Sequence, residues 1–304
     1  MNSTIYLNKL KKDTFAIFLF HGVINETIAG IRNYTKKHIQ IDIFEEIIST
    51  LKKQGNAVSM DEITHCFNNN EKLPEYSYAI TFDDGFENNY SLAVPVLEKY
   101  RTPAVFYVST NLIDNNYMTW IDKIEYCIDN VSKIEINLPW NDISIKLTNN
   151  QSKIKCLNQI RKNVKLNPNK YNPDKIIETV FEQCSKVQIS SNNHILDKKM
   201  NWNQINLIHN HPLFEIGGHS HNHVSLGSIN SKDLKEEVGQ SIKLLTEKGK
   251  INLEHYSYPE GQENDYSDEV ILLLETYGIK CCPTAIDGLN NHLTNPFHLK
   301  RIML

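Results

Sequence analysis

The sequence predicts an α/β protein, a distorted parallel (β/α) barrel carrying one large insertion. Strand-like and helix-like segments alternate over most of the 304 residues, the order that produces parallel sheets. Two motifs rich in Asp and His each follow a short apolar run, and in such folds sites assemble at the carboxyl ends of strands. One long stretch, 112–205, breaks the alternation.

The elements follow in order. Phe15–Phe20 is an unbroken apolar run and reads as the first buried strand. Asp42 is expected to cap a helix in which Phe44, Ile47, Ile48 and Leu51 recur at helical spacing until Gly55 stops it. Ala57 and Val58 form a short strand, and Ser59 with Glu62 a capping box for a helix carrying Ile63 and Cys66. Residues 78–82 are a strand that delivers Asp83 and Asp84 to its end, where Gly85 lets the backbone turn without a Cβ clash. Residues 89–99 read as helical with Leu92, Val96 and Leu97 inward, and Pro95 demands a kink or a late start. Ala104–Val108 is a buried strand, and 214–217 is another that leads into His219-Ser220-His221-Asn222-His223. Ser231 opens a helix with Leu234, Val238, Ile242 and Leu245 on one side. Residues 256–258 then read as a strand, 267–277 as a helix closed by Gly278, and 279–282 as a strand.

Asp84 and His219 stand 135 positions apart, more than one or two β/α units need. The excess, 112–205, contains a hairpin-like alternation over 134–147, two helices near 152–162 and 173–184, and loops at 167–172 and 190–193. It reads as a subdomain within a single domain spanning 1–304, either a cap shaping a pocket or a peripheral packing or oligomerisation element.

A net charge of −4 gives no footprint for nucleic acid. The six cysteines, at 66, 127, 156, 184, 281 and 282, form no C-x-x-C, and the usage suggests reduced thiols. The run 15–20 is too short for a signal-peptide core, and no run approaches a membrane span. The expected location is therefore cytoplasmic.

The two motifs supply a metal site and a base. Zinc and similar divalent ions take imidazole nitrogen and carboxylate oxygen, and a catalytic site keeps one position for water. Asp84, His219 and His223 form such a set, the histidines four apart so that one helix-like turn can aim both at one ion. Asp83, beside them but not a ligand, is the candidate base. His21 ends the first strand and can reach the same mouth.

Thr81-Phe82-Asp83-Asp84-Gly85 followed by His219-Ser220-x-x-His223 resembles the polysaccharide deacetylases of the NodB-homology family, carbohydrate esterase family four. The resemblance spans about residues 15–302 with the insertion set aside, and implies a barrel of the NodB-homology type. It implies Asp83 as general base and Asp84, His219 and His223 as metal ligands. Tyr256-Ser257-Tyr258-Pro259-Glu260-Gly261-Gln262 loosely matches the family's Pro-Gly loop, which implies the Glu260 backbone amide as oxyanion donor and Tyr258 and Pro259 as substrate contacts. The arginine that precedes this loop in many members has no counterpart at 255–257. The late Leu-x-x-His motif is matched only literally, by Leu289 to His292, and His298 does not match it, which leaves the general acid unassigned. His21 with Gly22 and Val23 resembles the Tyr-His-x-Val start of relatives. The implied activity is metal-dependent removal of an N-acyl group, acetyl first, from an amino sugar, glycan or nucleotide- or lipid-linked precursor. The implied cofactor is a divalent metal, zinc before cobalt or nickel. The alternatives are an amidohydrolase or deformylase acting on another C–N amide, and a catalytically silent glycan-binding module.

Overall fold

In the computed structural model, which describes residues 9–167, 170–184 and 194–304, the chain divides into two compact units. The first holds the N-terminal segment through Asn25, then 38–116 and 199–304; the second holds 26–37 and 117–198.

The first unit is built on parallel strands: β1 (Phe15–Phe20), β2 (Gly22–Ile24), β3 (His38–Gln40), β4 (Asn56–Ala57), β5 (Ser77–Phe82), β6 (Ala104–Val108), β7 (Phe214–Gly218) and β8 (Ile302–Met303). β8 pairs with β1, β1 with β5, β5 with β6 and β6 with β7, all parallel. Single parallel bridges continue the path, Gly218 to Tyr256, His255 to Cys281 and Pro283 to Leu299. Leu299 runs on into β8, so the pairing returns to β1 and closes a ring. The ring is distorted because the segments expected as strands, 256–258 and 279–282, are held by isolated bridges at 255–256 and 281–283, one to each neighbour. β4 pairs with the first residues of β5, below the level at which β6 joins it.

Helices α1 (Ile41–Gln54), α2 (Met60–Asn69), α3 (Val94–Lys99), α4 (Thr110–Asn115), α5 (Trp202–His209), α6 (Ser231–Glu247) and α7 (Asp268–Thr276) follow the strands. The Ser59–Glu62 capping box forms as expected. Pro95 acts as a start: a π-turn over Asn89–Ala93 precedes α3, which carries the proline in its first turn. Asp42 does not cap α1. Gln40 occupies the cap because β3 runs directly into the helix, and Asp42 sits in the first turn, where its charge suits the helix dipole. Phe20, Phe82 and Phe106 stack across neighbouring strands beneath the helices and anchor the main core. Among the described residues no helix is long and apolar enough to cross a membrane.

The second unit contains helices Trp120–Asp129, Asn150–Leu166 and Pro173–Gln183 and the antiparallel hairpin Ile134–Ile136 with Ile145–Leu147. Ile124, Ile128, Leu157, Ile160 and Val180 fill its core. Segment 26–37 belongs to it through the buried Arg32, 2.6 Å from Asp197 and 3.4 Å from Glu125. Burial raises the thiols of Cys127, Cys156 and Cys184 to about 11, 12 and 12, which keeps them protonated, and all six cysteines are free. The loop expected at 190–193 and part of that at 167–172 lie outside the described residues.

Candidate active site

The carboxyl ends of β5 and β7 bring the two motifs together. Asp84, His219 and His223 offer ligand atoms that all lie within 4.8 Å of one another. Asp84 Oδ1 stands 3.6 Å from His219 Nε2 and 2.9 Å from His223 Nε2. The backbone is strained at this junction: Asp84, Ser220 and His223 have φ of 73°, 63° and 58°, conformations that L-residues hold only where the surroundings impose them. The histidines therefore sit on a loop rather than on the helix-like turn that their spacing suggested. Two left-handed residues replace the turn, fixed by hydrogen bonds from Ser220 N to Tyr256 Oη (2.7 Å), from His223 N to Ser220 Oγ (2.9 Å) and from Ser109 Oγ to the His219 carbonyl (2.6 Å).

The donor set fits a divalent ion. His219 Nδ1 lies 2.8 Å from the Ser257 carbonyl. A carbonyl only accepts, so Nδ1 carries the proton and Nε2 is left with its lone pair toward Asp84, the usual preparation of a ligating histidine. Two imidazole nitrogens and one carboxylate oxygen are the chemistry that zinc and its neighbours take.

Asp83 is held differently. Its backbone N–H donates to the Phe20 carbonyl at 3.0 Å, and both its carboxylate oxygens accept from Arg301, Nη1 and Nη2 each at 2.8 Å. Arg301 also donates to the Thr284 carbonyl (2.5 Å), Thr81 Oγ1 (3.3 Å) and Ser257 Oγ (2.9 Å). Burial alone would push the Asp83 carboxyl up, but the Arg301 guanidinium outweighs it and holds the group below the usual carboxylate range. Its Oδ2 is 3.9 Å from His219 Nε2. The result is an ionised carboxylate fixed beside the ligand set.

Sequence reasoning missed Arg301 and Ser257. No arginine stands at 255–257; the guanidinium arrives from the end of the chain. The available signal was the alternation Leu299 in, Lys300 out, Arg301 in, which places a charged side chain on the inner face of the last strand.

The remaining candidates are placed as follows. His21 directly follows β1, whose last residue Phe20 pairs in register with Phe82 of β5, so it stands at the same mouth as Asp83. Glu260 and Gly261 form a tight turn with φ of 62° and 64°, and Gly261 O accepts from Ala285 N at 2.8 Å. Tyr258 is fully buried, its ring stacked on Tyr266 at 4.3 Å and its hydroxyl donating to the Phe297 carbonyl. Its side chain therefore belongs to the core, and Pro259 is buried beside it. His298 is exposed and meets Tyr266 Oη at 3.0 Å. His292 lines a cavity with Asp13, Thr14 and Phe15, at the opposite end of β1 from His21, so the literal Leu-x-x-His match is a coincidence of residues.

A ring of parallel strands with a carboxylate, two imidazoles and a second, tethered carboxylate at one mouth is the arrangement of a NodB-type deacetylase. A family model described as polysaccharide deacetylase matches residues 70–163 and 172–282, more than half of the chain. The chain belongs to that family, and its reaction class is deacetylation of a glycan. No curated protein matches it. Among solved structures, it is similar to a de-N-acetylase from Aggregatibacter actinomycetemcomitans, at TM-score 0.60 and 17% identity over 95% of this chain and 94% of that one. It is also similar to IcaB from Ammonifex degensii (0.58, 15%, 97% and 94%) and to the Streptococcus pyogenes deacetylase PplD in complex with acetate (0.57, 16%, 96% and 93%). At these identities the likeness establishes the fold.

Proposed function

We propose that this protein is a metal-dependent hydrolase that removes the N-acetyl group from an amino sugar within a glycan or a glycan precursor. The observation that carries the proposal is the pairing of two carboxylates with opposite environments on adjacent residues: Asp84 facing two imidazoles, and Asp83 locked in a guanidinium fork.

Asp84, His219 and His223 would hold a divalent ion, which when bound would supply Lewis acidity and lower the pKa of a water molecule toward neutrality. Asp83, kept ionised by Arg301, takes a proton from that water as it attacks the amide carbonyl. The Glu260 amide donates to the oxygen on which negative charge grows. The departing sugar amine takes a proton from a group at the same mouth, where His21 stands at the end of β1.

The test is to incubate metal-loaded protein with a panel of N-acetyl and N-formyl amino sugars, free, polymeric, nucleotide-linked and lipid-linked, and to assay acetate and formate. Acetate from at least one amino sugar, abolished by chelation and restored by zinc, is expected. Formate alone would reassign it as a deformylase; binding of a glycan without release of either acid would leave a silent binding module.

A further inference from the structure

We propose a second divalent-cation site, formed by Asp61, Glu215 and His255. It lies away from the mouth: Glu215 is near the start of β7, four residues before His219, and Asp61 is in the first turn of α2. His255 Nε2 is 3.5 Å from Asp61 Oδ1 and 3.5 Å from Glu215 Oε2, and the three ligand atoms lie within 4.8 Å of one another. These separations are long for direct ion-paired hydrogen bonds. They match the edge of a coordination tetrahedron, since ligands about 2.1 Å from an ion at tetrahedral angles stand about 3.4 Å apart.

Nε2 of His255 is the ring nitrogen that faces the two carboxylates. The residue is 3% exposed, and its Nδ1 has no hydrogen-bond partner. That nitrogen lies over Gly217, where a Cβ would come within 2.9 Å of it and within 2.4 Å of the Tyr107 ring. The walled-in side leaves Nε2 as the nitrogen aimed at polar groups. Glu215 already accepts from Met60 N and Asp61 N at 3.1 Å each, but a carboxylate has about four lone-pair sites and keeps capacity for a cation. The Asp61 side chain is 64% exposed and opens the cluster to solvent. One imidazole with two carboxylates selects zinc, cobalt or nickel over calcium or magnesium. A bound ion would join the start of α2, β7 and the stave that carries His255, so its role is structural.

The site does not depend on the deacetylase mechanism, and the experiment separates the two. Zinc is titrated into the chelator-stripped full chain and bound metal is counted by elemental analysis after dialysis. Wild type is expected to hold two equivalents, Asp84→Asn/His219→Ala to hold one, and Asp61→Ala to hold one with acetate release intact. In the Asp84→Asn/His219→Ala background, zinc should still raise the Tm, and adding Asp61→Ala should abolish that rise. Glu215→Gln is the second variant, checked for folding by circular dichroism. The proposal is overturned if Asp84→Asn/His219→Ala binds no zinc, or if folded Asp61→Ala and Glu215→Gln both bind as much as wild type; the cluster is then an ion-pair network alone.

Discussion

Arg301 gives all five of its guanidinium N–H groups to protein acceptors, two of them to Asp83. Removing it leaves a buried carboxylate without its counter-charge, which costs about 3–5 kcal/mol. Arg301→Gln should therefore lower stability by that order in urea unfolding. Arg301→Lys keeps the charge but loses the two-pronged geometry, and should retain more stability while still lowering kcat. Asp83→Asn is expected to reduce kcat by about 10²–10⁴, the usual worth of a general base, with metal content unchanged by elemental analysis. Wild-type turnover in that variant would remove Asp83 from the mechanism. His219→Ala, in contrast, should lower metal content. The contrast between these variants was partly legible beforehand, because Asp-Asp-Gly and His-x-x-x-His name their own chemistry. Arg301 was not, because a lone arginine near a terminus has no local pattern and acquires meaning only when ring closure brings β8 against β1.

Elements deliver these groups, and their geometry is as exacting as the residues. Gly85, at φ 68°, turns the chain immediately after the two carboxylates, and a Cβ there would lie 2.9 Å from Ile113 Cδ1 and 3.1 Å from Val108 Cγ1. Gly85→Ala should cost at least about 1–2 kcal/mol from the left-handed backbone alone and weaken metal binding as Asp84 shifts, measurable by calorimetry. At the end of α4, Asp114 accepts from Trp202 Nε1 (2.5 Å) and Lys248 Nζ (2.6 Å), pinning α5 and the end of α6. Burial raises its carboxyl, but these partners win and leave it below the ordinary value. A carboxyl depressed in the folded state contributes stability above its unfolded value, near 3.9, and loses it as pH falls through the folded one. Asp114→Asn should thus lower stability at neutral pH by about 1 kcal/mol, read as a lower Tm, with the difference from wild type narrowing below pH 4. Local signals predicted these elements well where the chemistry was local, as with Ser59 and Glu62 or Pro95. They failed where tertiary pairing decided: 256–258 and 279–282 look like strands in composition, yet the ring holds this part of the chain by isolated bridges, one to each neighbour.

At the scale of the molecule, closure of the ring is what makes a site from segments 135 positions apart, and the fold class follows from the alternation that the sequence displays. The composition of the second unit was less legible, because 26–37 joins it through Arg32, Asp197 and Glu125, contacts between distant polar residues that periodicity does not encode. The most direct measurement of the central claim is zinc-edge anomalous diffraction from crystals grown with zinc. The account predicts a peak about 2.0–2.2 Å from Asp84 and from Nε2 of His219 and His223, with Asp83 beside it and still paired with Arg301. Absence of a peak there in zinc-saturated crystals, or a peak coordinated by Asp83 in place of Asp84, would contradict it.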